Sequence, residues 1–332
     1  MRPKVFATRR IPSPGIEMIA EVCDVTVYEG TQALDRKELL ASVREIDGLV
    51  CIPGDRIDAE VLDAAPSLKV ISTCSVGYEH IDVPETTKRG VYIGYTPEVL
   101  TDATADLAFA LLLTAGRRVA EGDRYVRAGK WQGRFDFGFM LGAPVWEATL
   151  GIIGFGRIGR AVATRAGGFR MKVLYNDAER RPEAEERRLS AEYRDLDDLL
   201  AASDFVSIHV PYLKETHHLI GVRELRLMKP TAILVNTSRG PVVDEAALAA
   251  ALKEGRPAGA GLDVYEREPL NPASPLPGLE NVTLSPHIGS ATGPTRSKMG
   301  ETAARNLLAA LGGGAPLYWV NPDAAKLRRG GG

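Results

Sequence analysis

Short apolar runs alternate with segments of helical period along almost the whole chain, the pattern of parallel sheets wrapped by helices. In the first hundred residues Lys4–Thr8, Val25–Tyr28, Gly48–Ile52, Lys69–Thr73 and Val91–Tyr95 read as strands, with helical patterns such as Leu34–Arg44 between most of them. An apolar-periodic helix follows from about Asp102 to Arg127, with Thr101 as its expected N-cap. A more regular series begins near residue 149: Thr149–Ile153, Met171–Asn176, Asp204–Val210, Ala232–Asn236, Ala258–Val264 and Val282–Leu284. Six strands with helices between them predict a doubly wound sheet of order 3-2-1-4-5-6. After Ile288 the chain turns helical again, roughly from Pro294 to Leu311, and this helix is expected to rejoin the first domain. The expected division is a discontinuous domain of residues 1–100 and 288–332 around a central domain of residues 101–287.

Composition narrows the classes. A chain of 332 residues suits two domains. With 41 basic against 43 acidic side chains and no basic stripe, nucleic acid is not the expected partner. The longest uncharged apolar stretch, Leu107 to Gly116, is about half a bilayer crossing, and the start carries no apolar signal core. No membrane partner and a cytoplasmic location are expected. Cys23, Cys51 and Cys74 have neither disulfide nor zinc spacing, so no metal is expected.

One motif carries chemistry. After Thr149–Ile153 comes Gly154-Phe-Gly156-Arg-Ile-Gly159 and then a helical segment, the strand and helix context that a dinucleotide fingerprint needs. Gly154 permits the tight turn, Gly156 admits a pyrophosphate to the backbone, and Gly159 lets helix and strand pack closely. The phosphates would sit on the free N–H groups at the helix start. Asp177 ends the next strand, 18 residues past Gly159; a carboxylate there accepts from an adenosine ribose and repels a 2′-phosphate. NAD(H) is favoured on that ground, while Arg180 and Arg181 leave NADP(H) possible.

Ligands of such sheets lie beyond the carboxyl ends of the strands. Three turns there hold reactive side chains: Asn236-Thr-Ser-Arg239-Gly-Pro, Asp263-Val-Tyr-Glu-Arg-Glu268-Pro and Leu284-Ser-Pro-His287-Ile-Gly. An arginine can grip a carboxylate bidentately, an imidazolium can protonate a carbonyl oxygen, and a glutamate beside it favours its charged form. That set suits reduction of a 2-keto acid. Position alone leaves His209 and Glu266 as rivals to His287 and Glu268, whereas His217 and His218 read as surface residues at a helix start.

The stretch Thr96-Pro-Glu-Val-Leu-Thr-Asp-Ala-Thr-Ala-Asp-Leu-Ala-Phe-Ala-Leu-Leu-Leu113, with Gly154–Gly159, Asn236–Gly240 and Ser285-Pro-His-Ile-Gly-Ser290, resembles the D-isomer-specific 2-hydroxyacid dehydrogenases. Within that family the chain is most similar to glyoxylate and hydroxypyruvate reductases. The resemblance implies a Rossmann nucleotide-binding domain and a smaller flavodoxin-like α/β substrate domain, with the active site in the cleft and a homodimer joined through the nucleotide-binding domains. It implies Arg239, Glu268 and His287 as catalytic residues, and Val76 and Gly77, in Ser75-Val-Gly-Tyr78, as backbone donors to the substrate carboxylate. It also implies dinucleotide contacts at Thr101, Arg157, Ile158, Asp177, Val210, Pro211, Thr216, Thr237, Asp263, His287 and Gly289, with Asp263 reading the nicotinamide carboxamide.

Two departures from the family matter. Archaeal-type glyoxylate reductases often carry Ser-Arg, a 2′-phosphate reader, where this chain has Asn176-Asp177. The segment from Arg134 to Gly142 lacks the tryptophan that many relatives place there, which bears on substrate size. Two other readings stand beside the reductase. A short-form 3-phosphoglycerate dehydrogenase shares the set, although the longer forms carry regulatory domains for which this length leaves no room. NAD-sensing corepressors of the same fold carry recruiting tails that are not expected here. Formate dehydrogenase relatives usually have glutamine at the position of Glu268, which argues against that activity.

Overall fold

The computed structural model describes residues 2–30, 34–133 and 136–327. Arg134 and Phe135 of the segment noted above, and the terminal glycines Gly330–Gly332, lie outside the described residues. The chain divides into two compact units, one formed by residues up to Leu100 with those from Ala291 onward, the other by Thr101–Ser290.

The first unit is a parallel sheet of β1 (Lys4–Ala7), β2 (Asp24–Val27), β3 (Gly48–Cys51), β4 (Val70–Thr73) and β5 (Tyr92–Gly94). Its order β2-β1-β3-β4-β5 is the flavodoxin-like arrangement. Strands β3 and β4 are buried at every position, as expected of central strands covered on both faces. The late helix Gly293–Leu311 supplies Ala303, Ala304, Leu307 and Ala310 to the same core as Val5, Val50 and Val70. Ser72 Oγ donates to the Ala303 carbonyl at 2.8 Å, satisfying a buried hydroxyl inside that packing.

The second unit holds seven parallel strands: β6 (Thr149–Ile153), β7 (Lys172–Asn176), β8 (Ala191–Tyr193), β9 (Phe205–Ile208), β10 (Ile233–Asn236), β11 (Gly259–Leu262) and β12 (Val282–Leu284). Their order is β12-β11-β10-β9-β6-β7-β8, a doubly wound Rossmann sheet. Here the sequence reading needs correction. The six predicted strands omit β8, a three-residue edge strand with one buried residue, too short to leave a hydrophobic pattern. The strand predicted third, Phe205–Ile208, therefore sits at the centre, paired with both β6 and β10. The neighbourhood of β10, β11 and β12 is unaffected.

The predicted helix from Asp102 to Arg127 is two helices, Thr101–Gly116 and Val119–Arg127. The first buries Ala105, Ala108 and Leu112, whereas the second buries nothing. Gly116 abuts Phe205, where an added Cβ would lie 2.8 Å from a ring carbon. Arg118 then takes a left-handed φ of 55°, and its guanidinium pairs two-pronged with Glu121 at 2.7 Å. Thr101 is correspondingly the first helical residue and not a cap outside it. Among the described residues no helix is long and apolar enough to cross a membrane.

Candidate active site

The fingerprint glycines behave as their chemistry requires. Strand β6 is buried to its end, and Gly154 turns the chain with φ of 90°; a Cβ there would strike the Val210 backbone nitrogen at 2.6 Å. At Gly159 a Cβ would lie 2.2 Å from the Gly154 carbonyl oxygen, so only glycine lets the helix Arg157–Gly167 start this close to the strand. Gly156 faces open space, with nothing within 4 Å of an added Cβ, and no side chain caps the helix. The first turn, including Ile158, thus presents backbone N–H groups that no side chain caps, a place suited to an anion.

Asp177 follows β7 and faces that turn. Its Oδ2 accepts from the Phe155 N–H and from Arg181 Nη2, both at 2.7 Å. Burial would raise its carboxyl, but those donors hold it below the ordinary aspartate range, so it stays ionised. Arg180 turns away to pair with Glu186. Beyond β9, Val210 and Pro211 lead into a short 3-10 turn, Lys214–Thr216. Thr216 Oγ1 closes this turn on the Pro211 carbonyl and the Leu213 N–H. After β10, Thr237 carries a buried hydroxyl with no hydrogen-bond partner among the described residues. An uncapped helix start, an ionised acid beside it and a buried hydroxyl without a partner among the described residues together fit a dinucleotide.

Three strand-end turns meet beside this surface. Asn236 Nδ2 donates to the Arg239 carbonyl, while its Oδ1 accepts from the Ser238 N–H and hydroxyl, each at 3.0 Å. Gly240 then packs face to face on the next turn; a Cβ would sit 1.8 Å from the Tyr265 carbonyl carbon. That requirement is invisible in the pattern, since the close contact is with a segment 25 residues away.

Glu268 Oε1 accepts from the Tyr265 N–H at 3.1 Å, which turns Oε2 toward His287 Nδ1 at 2.6 Å. Burial pushes Glu268 up, but His287, the Tyr265 N–H and the nearby Arg239 charge outweigh it and hold it below the ordinary glutamate range. An ionised Glu268 takes the Nδ1 proton of His287 as acceptor and leaves Nε2 outward. His287 has φ of 52° and is locked by Asp263: its own N–H reaches the Asp263 carbonyl, and the Ile288 and Gly289 N–H groups reach the carboxylate at 2.8 and 2.9 Å. Ser285 Oγ adds a fourth bond at 2.6 Å.

The two rivals go elsewhere. Glu266 pairs with His218 at 2.7 Å. His209 lies 2.8 Å from Ser207 Oγ, and burial pushes its imidazole down to about 3, so it is neutral at physiological pH. In the other unit, Val76 and Gly77 sit partly exposed past β4, and their N–H groups have no partner among the described residues.

The profile of the D-isomer specific 2-hydroxyacid dehydrogenase NAD binding domain matches residues 109–289. A glyoxylate reductase of Thermofilum pendens is 52% identical over 328 residues, 98% of this chain and 97% of the relative. A crystal structure of a Thermus thermophilus protein superposes with a TM-score of 0.90 at 44% identity, over 96% of this chain and 99% of that one. An NADPH-dependent glyoxylate/hydroxypyruvate reductase from Sinorhizobium meliloti, solved with NADP and malonate, gives 0.86 at 32% identity over both whole chains. This chain belongs to the D-isomer-specific 2-hydroxyacid dehydrogenase family. It is a nicotinamide-dependent oxidoreductase of small 2-keto and 2-hydroxy acids.

Because Arg239 and Glu268 flank the Gly240 contact, Gly240→Ala should displace both. Shifts near 1 Å at such groups cost on the order of 100-fold. We expect kcat/KM to fall by about that factor, read by NADH oxidation; a parent-like rate would mean that the turn yields elsewhere.

Proposed function

We propose that this protein reduces glyoxylate and hydroxypyruvate to glycolate and D-glycerate with NADH. The pairing of His287 with an ionised Glu268, one turn away from Arg239, carries this reading. The bound nicotinamide supplies the hydride. His287 donates the proton from Nε2 to the carbonyl oxygen, and Glu268 holds the ring through Nδ1 and stabilises its charged form. Arg239 grips the carboxylate and polarises the carbonyl. Val76 and Gly77 give the carboxylate two further backbone donors. Gly154, Gly156 and Gly159 admit the pyrophosphate, Asp177 takes the adenosine ribose, and Thr237 meets the cofactor with its orphaned hydroxyl. Thr101, Arg157, Ile158, Val210, Pro211, Thr216 and Gly289 complete that surface, and Asp263 still has acceptor capacity at Oδ2 for a carboxamide.

His287→Gln and Arg239→Ala should each lose at least about 100-fold in kcat with glyoxylate while NADH still binds. His209→Gln should leave the pH–rate profile in place, because a group that titrates near 3 cannot donate a proton at pH 7. A profile that moves with His209 would reassign the acid.

NADH preference rests on Asp177, which both repels a 2′-phosphate and occupies Arg181. Asp177→Ser frees that guanidinium. Initial rates should favour NADH over NADPH in the parent by at least about tenfold, and the ratio should narrow or invert in the variant. An unaltered ratio would remove Asp177 as the selector.

A second copy of the chain is the proposed macromolecular partner. Val126, Trp131, Phe137, Leu141 and Trp146 expose large apolar side chains along one stretch of the sequence, which suits burial against a partner. Light scattering should give twice the chain mass, and Trp131→Ser with Phe137→Ser should shift it toward one; a monomeric parent would dismiss the interface.

A further inference from the structure

The loop Ser75-Val76-Gly77 is backed by a chain of hydroxyl and imidazole groups that no step above uses. Ser75 Oγ donates to the Gly77 carbonyl at 2.6 Å, closing a tight turn. Thr73 Oγ1 lies 2.7 Å from Ser75 Oγ, and His80 Nε2 lies 3.1 Å from Thr73 Oγ1. Thr73 is fully buried and Ser75 nearly so.

The end of this chain sets its direction. A carbonyl oxygen only accepts, so the single Ser75 proton is committed to Gly77. The Thr73 proton must then serve Ser75, and the Thr73 oxygen must accept from a proton on His80 Nε2. Each of the two hydroxyls receives one hydrogen bond and passes one on, the arrangement in which neighbouring bonds strengthen one another, while His80 Nε2 also lies 3.8 Å from Cys51 Sγ. The frame around it is pinned as well. The Ser75 carbonyl accepts from the Thr96 N–H at 2.8 Å, the Cys74 N–H reaches the Cys51 carbonyl, and the His80 carbonyl accepts from the Ile57 N–H at 2.9 Å. The Val76 and Gly77 N–H groups of this turn have no partner among the described residues.

We infer that His80, Thr73 and Ser75 are positioning residues for the substrate carboxylate, because their one-way relay fixes the Val76 and Gly77 donors in a binding-ready turn. The inference rests on the reading of those two donors given above. None of the three side chains touches the reacting carbonyl in this reading, so their loss acts on substrate affinity and not on proton or hydride transfer. Preorganised donors need no ordering when the acid arrives, and that ordering is the cost which their loss would restore.

Thr73→Val removes the hydroxyl at nearly constant shape, Thr73→Ser keeps it, and Ser75→Ala removes the last donor. Steady-state kinetics with glyoxylate should show KM raised about tenfold in Thr73→Val and Ser75→Ala. In both, kcat should stay within about twofold and NADH affinity should be unchanged; Thr73→Ser should restore the parent KM. A general loss of packing would instead lower kcat and affect Thr73→Ser as well, and that result overturns the relay. Val76→Pro deletes one of the two donors and separates the two ideas. A raised KM there, with parent-like KM in Thr73→Val and Ser75→Ala, rejects the relay alone. A parent-like KM in Val76→Pro rejects the donor reading together with the relay.

Discussion

The buried carboxylate of Asp263 is the constraint on which the candidate site depends. It is 1% exposed and gathers Ser285, Ile288 and Gly289 onto its two oxygens, while its own carbonyl takes the His287 N–H. Burial nevertheless holds its carboxyl above the usual aspartate range, outweighing those bonds. An acid raised in the folded state favours the protonated form there, so stability falls as pH climbs from the unfolded toward the folded pKa. Ionised Asp263 is therefore a net cost to folding at neutral pH. The molecule gains from it a left-handed backbone at His287, which a non-glycine residue adopts only when its surroundings over-determine it.

Backbone contact, more than side-chain contact, brings the remaining groups together. Gly240 lies against the Tyr265 carbonyl and Gly154 against the Val210 nitrogen, so turns after β10 and β11, and after β6 and β9, meet with no side chain between them. Each parallel strand ends on the same edge of the sheet, and at these two crossings a glycine lets the backbones come this close. The glutamates divide along the same lines. Tyr265 N–H orients Glu268 toward His287, while Glu266, two residues earlier, faces the opposite way to His218.

Both units use the carboxyl edge of a parallel sheet in the same manner. In one, an ionised acid and a helix start that no side chain caps face the same turn. In the other, the hydroxyls of Thr73 and Ser75 brace the turn after β4, where the proposed carboxylate donors lie. The energy spent in each case goes into ordering polar groups before any ligand arrives, which is where a site that must reject water gains most.

Several elements were legible in the chain itself. Alternating apolar runs and helical periods determined an α/β fold of parallel strands, because burial on both faces leaves continuous apolar runs. The glycine spacing after β6 and the acid after β7 determined a dinucleotide site, because turn geometry and anion binding are local demands. What lay beyond local pattern was settled only in three dimensions. The edge strand β8 is too short to leave a signature, and so the central place of Phe205–Ile208 was not readable from the order of strands in sequence. The break after Gly116 lies where that glycine packs against Phe205, a contact across 89 positions. That Glu268 and not Glu266 reaches His287, and that His209 lies buried against Ser207, turned on burial and on which groups each side chain could reach. Those are properties of packed neighbours, and sequence spacing carries no record of them.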